Sequence, residues 1–217
     1  FLGTGFLADA FFVAFRLPNT FRRLFSEGTF NAAFIPSYAG ALSENKKKAD
    51  NFAKNVFNLL FIILLFLVLI AEIFMPKLIY LIAPGFYKDP EKLKLAIDLS
   101  RITFPFLLFV SLASFFGAIL NSYNKFAVAA AAPIILNIVL IGSLFLSQFI
   151  NISGVLSLSY AVSLAGFLQL LILLFFVRKN FKPILSVKIK IDKKIKFFFK
   201  KLLPSIFSSG VTQINIL

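Results

Sequence analysis

Most of the chain is built from long apolar runs separated by short polar gaps. Residues 102–120, 126–150 and 154–177 contain no charged side chain, and a fourth run, 56–81, carries Glu72 and Lys77 only towards one end. A bilayer's hydrocarbon core is about 30 Å thick and needs about 20 apolar residues in a helix. The four runs therefore predict four membrane-spanning helices. Another apolar run begins near Leu202 and continues to Leu217, giving an incomplete span over 202–217. Pro105 and Pro133 fall inside predicted spans, where neighbouring helices can satisfy the backbone groups that a proline frees.

The first segment has a different pattern. Residues 6–45 as one helix would be about 60 Å long, twice the bilayer core. The segment holds Pro18 and Pro36, together with Asp9, Arg16, Arg22, Arg23 and Glu27. A broken helical element over about 6–42 is expected, interrupted at the two prolines and partly lining a cavity. Phe1 and Leu217 both lie within apolar stretches, so the chain is read as part of a longer protein.

The polar gaps alternate in charge. The gaps at 43–54, 121–125 and 178–201 hold 15 basic residues, against three in 83–95 and none in 149–153. Basic loops stay in the cytoplasm, which places the first residues outside and sends successive spans in, out, in, out and in. Residues 178–201 carry ten Lys or Arg against Asp192 alone. That basic loop is expected to orient the protein and attract anionic headgroups, with a surface-lying amphipathic helix as the alternative.

Composition agrees with this picture. Apolar residues make up 59% of the chain and charged residues 15%, with mean hydropathy +0.92. Soluble domains are nearer 45–50% apolar and about 25% charged. The net charge of +14 would suit nucleic acid, but the cations sit in gaps between spans and not on a folded basic face, so no nucleic-acid partner is expected. Cys and His are absent, which removes disulfides, thiolate chemistry and the commonest general base and metal ligand. The sequence offers no nucleophile–base pair, carboxylate dyad or metal set, and an enzyme is not expected.

Candidate chemistry lies in charged groups placed among apolar ones, which are costly in a membrane. There are 18 Lys but only five Arg, and Arg16, Arg22, Arg23 and Arg101 lie in or beside apolar segments. A guanidinium is always charged and can hold a carboxylate or phosphate bidentately. On a straight helix Asp9, Arg16, Arg23 and Glu27 fall within about 40° of one face, while Arg22 points about 100° away from Arg23. A kink at Pro18 would shift that phase, so either Arg22 or Arg23 can face inward. Snorkelling and local pairing are the competing structural account of this cluster. Asn58, Asn137 and Gln169 are expected to join helices.

The stretch GTGFLADAFFVAFRLPNTFRRLFSEGTFNAAFIP at 3–36 resembles the N-terminal signature of the MurJ/MviN lipid II flippases. APGF at 83–86, ITFPF at 102–106, GAILNS at 117–122 and APIILN at 132–137 are similar to further family motifs, and 204–215 looks like the start of that family's seventh helix. The resemblance implies the N-terminal lobe of an all-α, two-lobe exporter of the multidrug/oligosaccharidyl-lipid/polysaccharide superfamily, with a central cavity. It implies alternating-access export of lipid-linked peptidoglycan precursor, lipid II, across the bacterial inner membrane. In that likeness Asp9, Arg16, Arg22 and Arg23 become substrate-binding residues and Glu27 a gate. No cofactor is implied. Coupling would come from the membrane potential or from an ion whose site is not identifiable within these residues. Export of another lipid-linked oligosaccharide or a drug, and a non-transporting membrane scaffold, are the alternatives. A drug exporter should have an acidic cavity, and a scaffold has no use for a mixed-charge cluster in a broken helix.

Overall fold

A computed structural model describes residues 5–26, 29–185, 195, 196, 198 and 200 of the chain, with side chains for all of these except 21–26 and 29. The described elements are helical: α1 (Phe6–Ser26), α2 (Thr29–Glu44), α3 (Lys46–Ile82), a short 3-10 turn (Pro84–Lys88), α4 (Pro90–Thr103), α5 (Phe106–Ser122), α6 (Phe126–Phe149) and α7 (Gly154–Val177). Four stretches are long and apolar enough to cross a membrane: Lys46–Ile82, Pro90–Ser122, Phe126–Phe149 and Gly154–Val177. They contain the four runs expected from the sequence. The run 202–217 and the basic stretch 186–194 lie outside the described residues.

Three boundaries differ from expectation. The first segment is not interrupted at its prolines: Pro18 and Pro36 both sit inside helices. Lysines 46–48 and Lys54 belong to the start of α3 and not to a loop. Asn45 begins that helix by accepting the Lys48 N–H at 2.8 Å, which satisfies one of the first-turn donors that have no helical partner. The gap at 83–95 likewise contains the start of α4. Asp89 caps it by accepting the Lys92 N–H at 3.0 Å, and Pro90 occupies the first helical position, where a missing N–H costs nothing.

Helices α1–α2 and α4–α5 run side by side in the same direction. The pairings along them advance together: Asp9 with Lys92, Ala14 with Thr103, Phe15 with Phe106, Phe34 with Phe115, and Tyr38 with Tyr123. The α4–α5 span is interrupted near its middle, at Phe104–Pro105. Helix α7 runs parallel to them, with Ser163 against Ile102 and Phe167 against Phe109. Helices α3 and α6 return in the opposite sense, as alternating spans require.

Side-chain hydroxyls from neighbouring helices repair the interrupted backbones. Pro18 has no N–H for the Ala14 carbonyl, and the buried Thr103 hydroxyl donates to that oxygen at 2.9 Å. At the Phe104–Pro105 break the Ile102 carbonyl accepts a hydrogen bond from the Ser163 hydroxyl. A buried carbonyl without a partner costs about 1–3 kcal/mol, and in hydrocarbon no water can replace the missing donor.

Packing between the spans is aromatic. Phe34 meets Phe115 edge-on with ring centroids 5.1 Å apart, stacks on Phe30 at 5.4 Å, and Phe57 reaches Phe115 and Phe116 at 5.6 Å. Rings bury large area and gain from offset or edge-on geometry, which gives structural meaning to the 31 phenylalanines. Gly166 lets α7 and α5 touch, because a Cβ there would lie 2.6 Å from Phe106 Cδ2. By contrast, α6 packs against α5 and α7 while Phe126, Ile134, Ile138, Ile141, Phe145 and Phe149 stay exposed.

The described parts of the three basic gaps converge on one end of the bundle. Lys125 Nζ donates to Asn180 Oδ1 at 2.8 Å, and the first turns of α3 border residues 178–184. By the charge rule this is the end expected in the cytoplasm.

Candidate functional site

Helix α1 divides into two faces. Ala10, Phe11, Ala14 and Leu17 are buried against the bundle, with Phe15 packing on Phe106 of α5. Asp9, Phe12 and Arg16 form an exposed stripe at helical spacing. Asp9 and Arg16 are two turns apart on one face, separated by about 10 Å of helix rise. Two of the residues singled out from sequence thus share a surface.

Asp9 also has a partner that the sequence did not reveal. Lys92 Nζ lies 2.6 Å from Asp9 Oδ2, with side-chain exposures of 19% for Lys92 and 57% for Asp9. The same ammonium stands 4.5 Å from the centre of the Phe86 ring. A pair this open to solvent contributes about 0–1 kcal/mol, so its consequence is mainly positional. It fixes the N-terminal end of α1 to the first turn of α4. The sequence signal for Lys92 was the Asp89-Pro90 helix start, which puts that lysine in the first turn of a helix and not in a loop.

The arginine pair occupies the end of the same helix. Arg22 and Arg23 lie in the last turns of α1, with their side chains outside the described residues, and Glu27 falls outside them altogether. Thr20 donates to the Arg16 carbonyl at 2.9 Å, so its hydroxyl is turned back onto the helix backbone.

A second feature lies at membrane depth, where a cavity of about 320 Å³ opens between α2, α5, α6 and α7. Asn31, Ser114, Asn121 and Gln169 line it among apolar residues, and Gln169 is 4% exposed. Gln169 was read as a residue joining helices, and it faces this cavity. Asn58 does join elements, donating to the Ile184 carbonyl at 3.3 Å, whereas Asn137 is exposed on α6. Among the described residues no group of three or more His, Cys, Asp or Glu side chains could hold a metal ion.

Apolar spans, interrupted helices with their carbonyls satisfied from neighbouring spans, and a charged stripe on one of those helices define a polytopic all-α membrane protein. The chain belongs to the lipid II flippase MurJ family, which matches over residues 1–217. It is 41% identical over 214 residues to the probable lipid II flippase MurJ of Rickettsia prowazekii (strain Madrid E), covering 97% of this chain and 41% of that protein. The probable lipid II flippase MurJ of Rhizobium tropici is 40% identical over 220 residues, covering 99% of this chain and 41% of its own length. A solved structure of lipid II flippase MurJ in an inward closed conformation superimposes with a TM-score of 0.80 at 30% identity, covering 99% of this chain and 43% of that one. The chain spans about two fifths of the length of these relatives.

Proposed function

We propose that the full-length protein translocates lipid II from the inner to the outer leaflet of the bacterial inner membrane by alternating access, with residues 1–217 forming its N-terminal lobe. The observation that carries this reading is the lipid II flippase family match along the whole chain, with a charged helix of the matching signature held on the surface of the bundle.

Lipid II presents a pyrophosphate that must pass through hydrocarbon. Desolvating such a group is costly unless cations accompany it, and an arginine fork supplies two parallel charge-assisted hydrogen bonds. Arg22 and Arg23, with Arg16 two turns earlier than Arg23, supply that charge along α1, and Asp9 sets the outer limit of the stripe. Glu27, which follows α1 in the sequence, would act as the gate. A membrane potential negative inside favours outward movement of anionic cargo by about 2.3 kcal/mol per charge per 100 mV. Such coupling, or an ion bound elsewhere in the full-length protein, would supply directionality. The role is transport and not bond-making chemistry.

The test is complementation by the full-length protein in cells depleted of their native flippase, paired with a leaflet-accessibility assay for lipid II. Restored growth with lipid II reaching the outer leaflet is expected. A protein that inserts at normal abundance yet leaves lipid II confined to the inner leaflet would overturn the reading.

A further inference from the structure

The cytoplasmic end of the bundle carries a pocket that the transport reading does not use. It lies between the first turns of α3 and the chain leaving α7, has a volume of about 360 Å³, and is lined by Lys46, Asp50, Lys54, Arg178, Lys179 and Lys182 among its residues. Five cations thus face one carboxylate. Asp50 Oδ1 is buried and has no hydrogen-bond partner.

Four observations define what fits. First, the cations converge by folding and not by sequence: Lys46 and Lys54 start one helix, while Arg178 to Lys182 follow another more than a hundred residues later. Lys125 Nζ on Asn180 Oδ1 and Asn58 Nδ2 on the Ile184 carbonyl tie the α7 exit to its neighbours. Second, the pocket sits beside the apolar part of α3, which begins near Val56, at the level where lipid headgroups lie. Third, an adjoining cleft of about 430 Å³ shares Arg178, Lys182 and Ile184 with the pocket and adds Leu174 and Pro183. A cationic chamber therefore continues into a largely apolar groove. Fourth, the orphaned Asp50 oxygen requires a donor, which a phosphate alone does not bring.

We propose that this pocket is a binding site for an anionic phospholipid of the inner leaflet with a hydroxylated headgroup. Its phosphate sits among Lys46, Lys54, Arg178, Lys179 and Lys182. A headgroup hydroxyl donates to Asp50, and an acyl chain leaves along Leu174, Pro183 and Ile184. Basic pockets between spans at the cytoplasmic face suit anionic headgroups, and a zwitterionic lipid gains little from an excess of cations. Phosphatidylglycerol has the required combination of charge and hydroxyl donors.

The test uses purified full-length protein in detergent, with native mass spectrometry counting phosphatidylglycerol retained in the presence of excess phosphatidylethanolamine. Lys54→Gln combined with Lys182→Gln should reduce retained phosphatidylglycerol by about thirtyfold, whereas Lys88→Gln at the opposite end should leave it unchanged. Leu174→Gln, a neutral change in the apolar cleft outside the cationic pocket, should weaken phosphatidylglycerol but not inorganic phosphate, which separates a lipid site from a free-anion site. Asp50→Asn should reduce the preference for phosphatidylglycerol over phosphatidic acid, which lacks the glycerol hydroxyls. Size-exclusion profiles matching the parent establish that the variants are folded. Equal retention in the double variant, equal loss in Lys88→Gln, or displacement of the lipid by inorganic phosphate with Leu174→Gln silent would each overturn the proposal.

Discussion

The Thr103 hydroxyl donates to the Ala14 carbonyl at 2.9 Å, filling the place of the N–H that Pro18 lacks. Two spans that are distant in sequence are thereby joined at the point where one of them is weakest. The substitution Thr103→Val should destabilise the full-length protein by about 1–3 kcal/mol, the cost of an orphaned buried carbonyl. In a Pro18→Ala background, with an N–H restored at position 18, the same change should cost much less. Denaturant unfolding of the four proteins of this cycle in detergent measures the coupling. Additive effects would mean that Thr103 does not compensate for the proline.

The contact between α5 and α7 depends on Gly166, where an added Cβ would stand 2.6 Å from Phe106 Cδ2 and 3.3 Å from Phe109 Cβ. Gly166→Ala should cost about 1–3 kcal/mol through overpacking. Phe106→Leu should recover part of that loss when combined with it, while being destabilising alone. Thermal unfolding of the single and double variants checks the reversal of sign.

Arg22 separates bidentate recognition from simple charge. If its fork holds pyrophosphate, Arg22→Lys preserves the charge but loses the geometry, and transport should fall sharply, with Arg22→Ala inactive at normal abundance. Complementation normalised to membrane protein level is the measurement. Full activity of both variants would transfer the role to Arg23, which is better aligned with Asp9 and Arg16 on a straight helix.

The Asp9–Lys92 pair tests whether Asp9 matters for its partner or for its own charge. Because Asp9 is more than half exposed, Asp9→Asn and Lys92→Gln should each change stability by less than about 1 kcal/mol. Asp9→Asn should nonetheless impair complementation more than Lys92→Gln, since only the former removes negative charge from the α1 stripe. Equal losses, restored by the charge-swapped double variant Asp9→Lys with Lys92→Asp, would make the pair a structural clamp instead.

Orientation can be read with single cysteines in a cysteine-free background, because these 217 residues contain none. Lys179→Cys should react only with reagent on the cytoplasmic side and Asp89→Cys only with reagent outside. The reverse pattern would invert the topology and the direction of any cargo.

The spans were legible in the sequence because each is set locally. A stretch of about 20 residues either can or cannot lie in hydrocarbon. The charged stripe was partly legible for the same reason: Asp9 and Arg16 share a face by helical period alone. The reading of 83–95 as a loop missed a local cue, since Asp89-Pro90 is itself a helix start that places Lys92 on α4.

The effect of the prolines could not be read from the sequence. Pro18 and Pro36 lie within helices. Whether a proline interrupts a span depends on whether its freed carbonyl finds another donor, and for Ala14 that donor lies 89 positions away. Lys92 as the partner of Asp9, Ser163 as the support of the Ile102 carbonyl, and the gathering of Lys46, Lys54 and Arg178 around one pocket all have this non-local character. The sequence settled which segments are apolar enough to enter the membrane, because transfer into hydrocarbon is a property of each segment. The tertiary structure decided which groups meet, because a hydrogen bond or ion pair requires atoms within about 3 Å, and only packing brings distant residues that close.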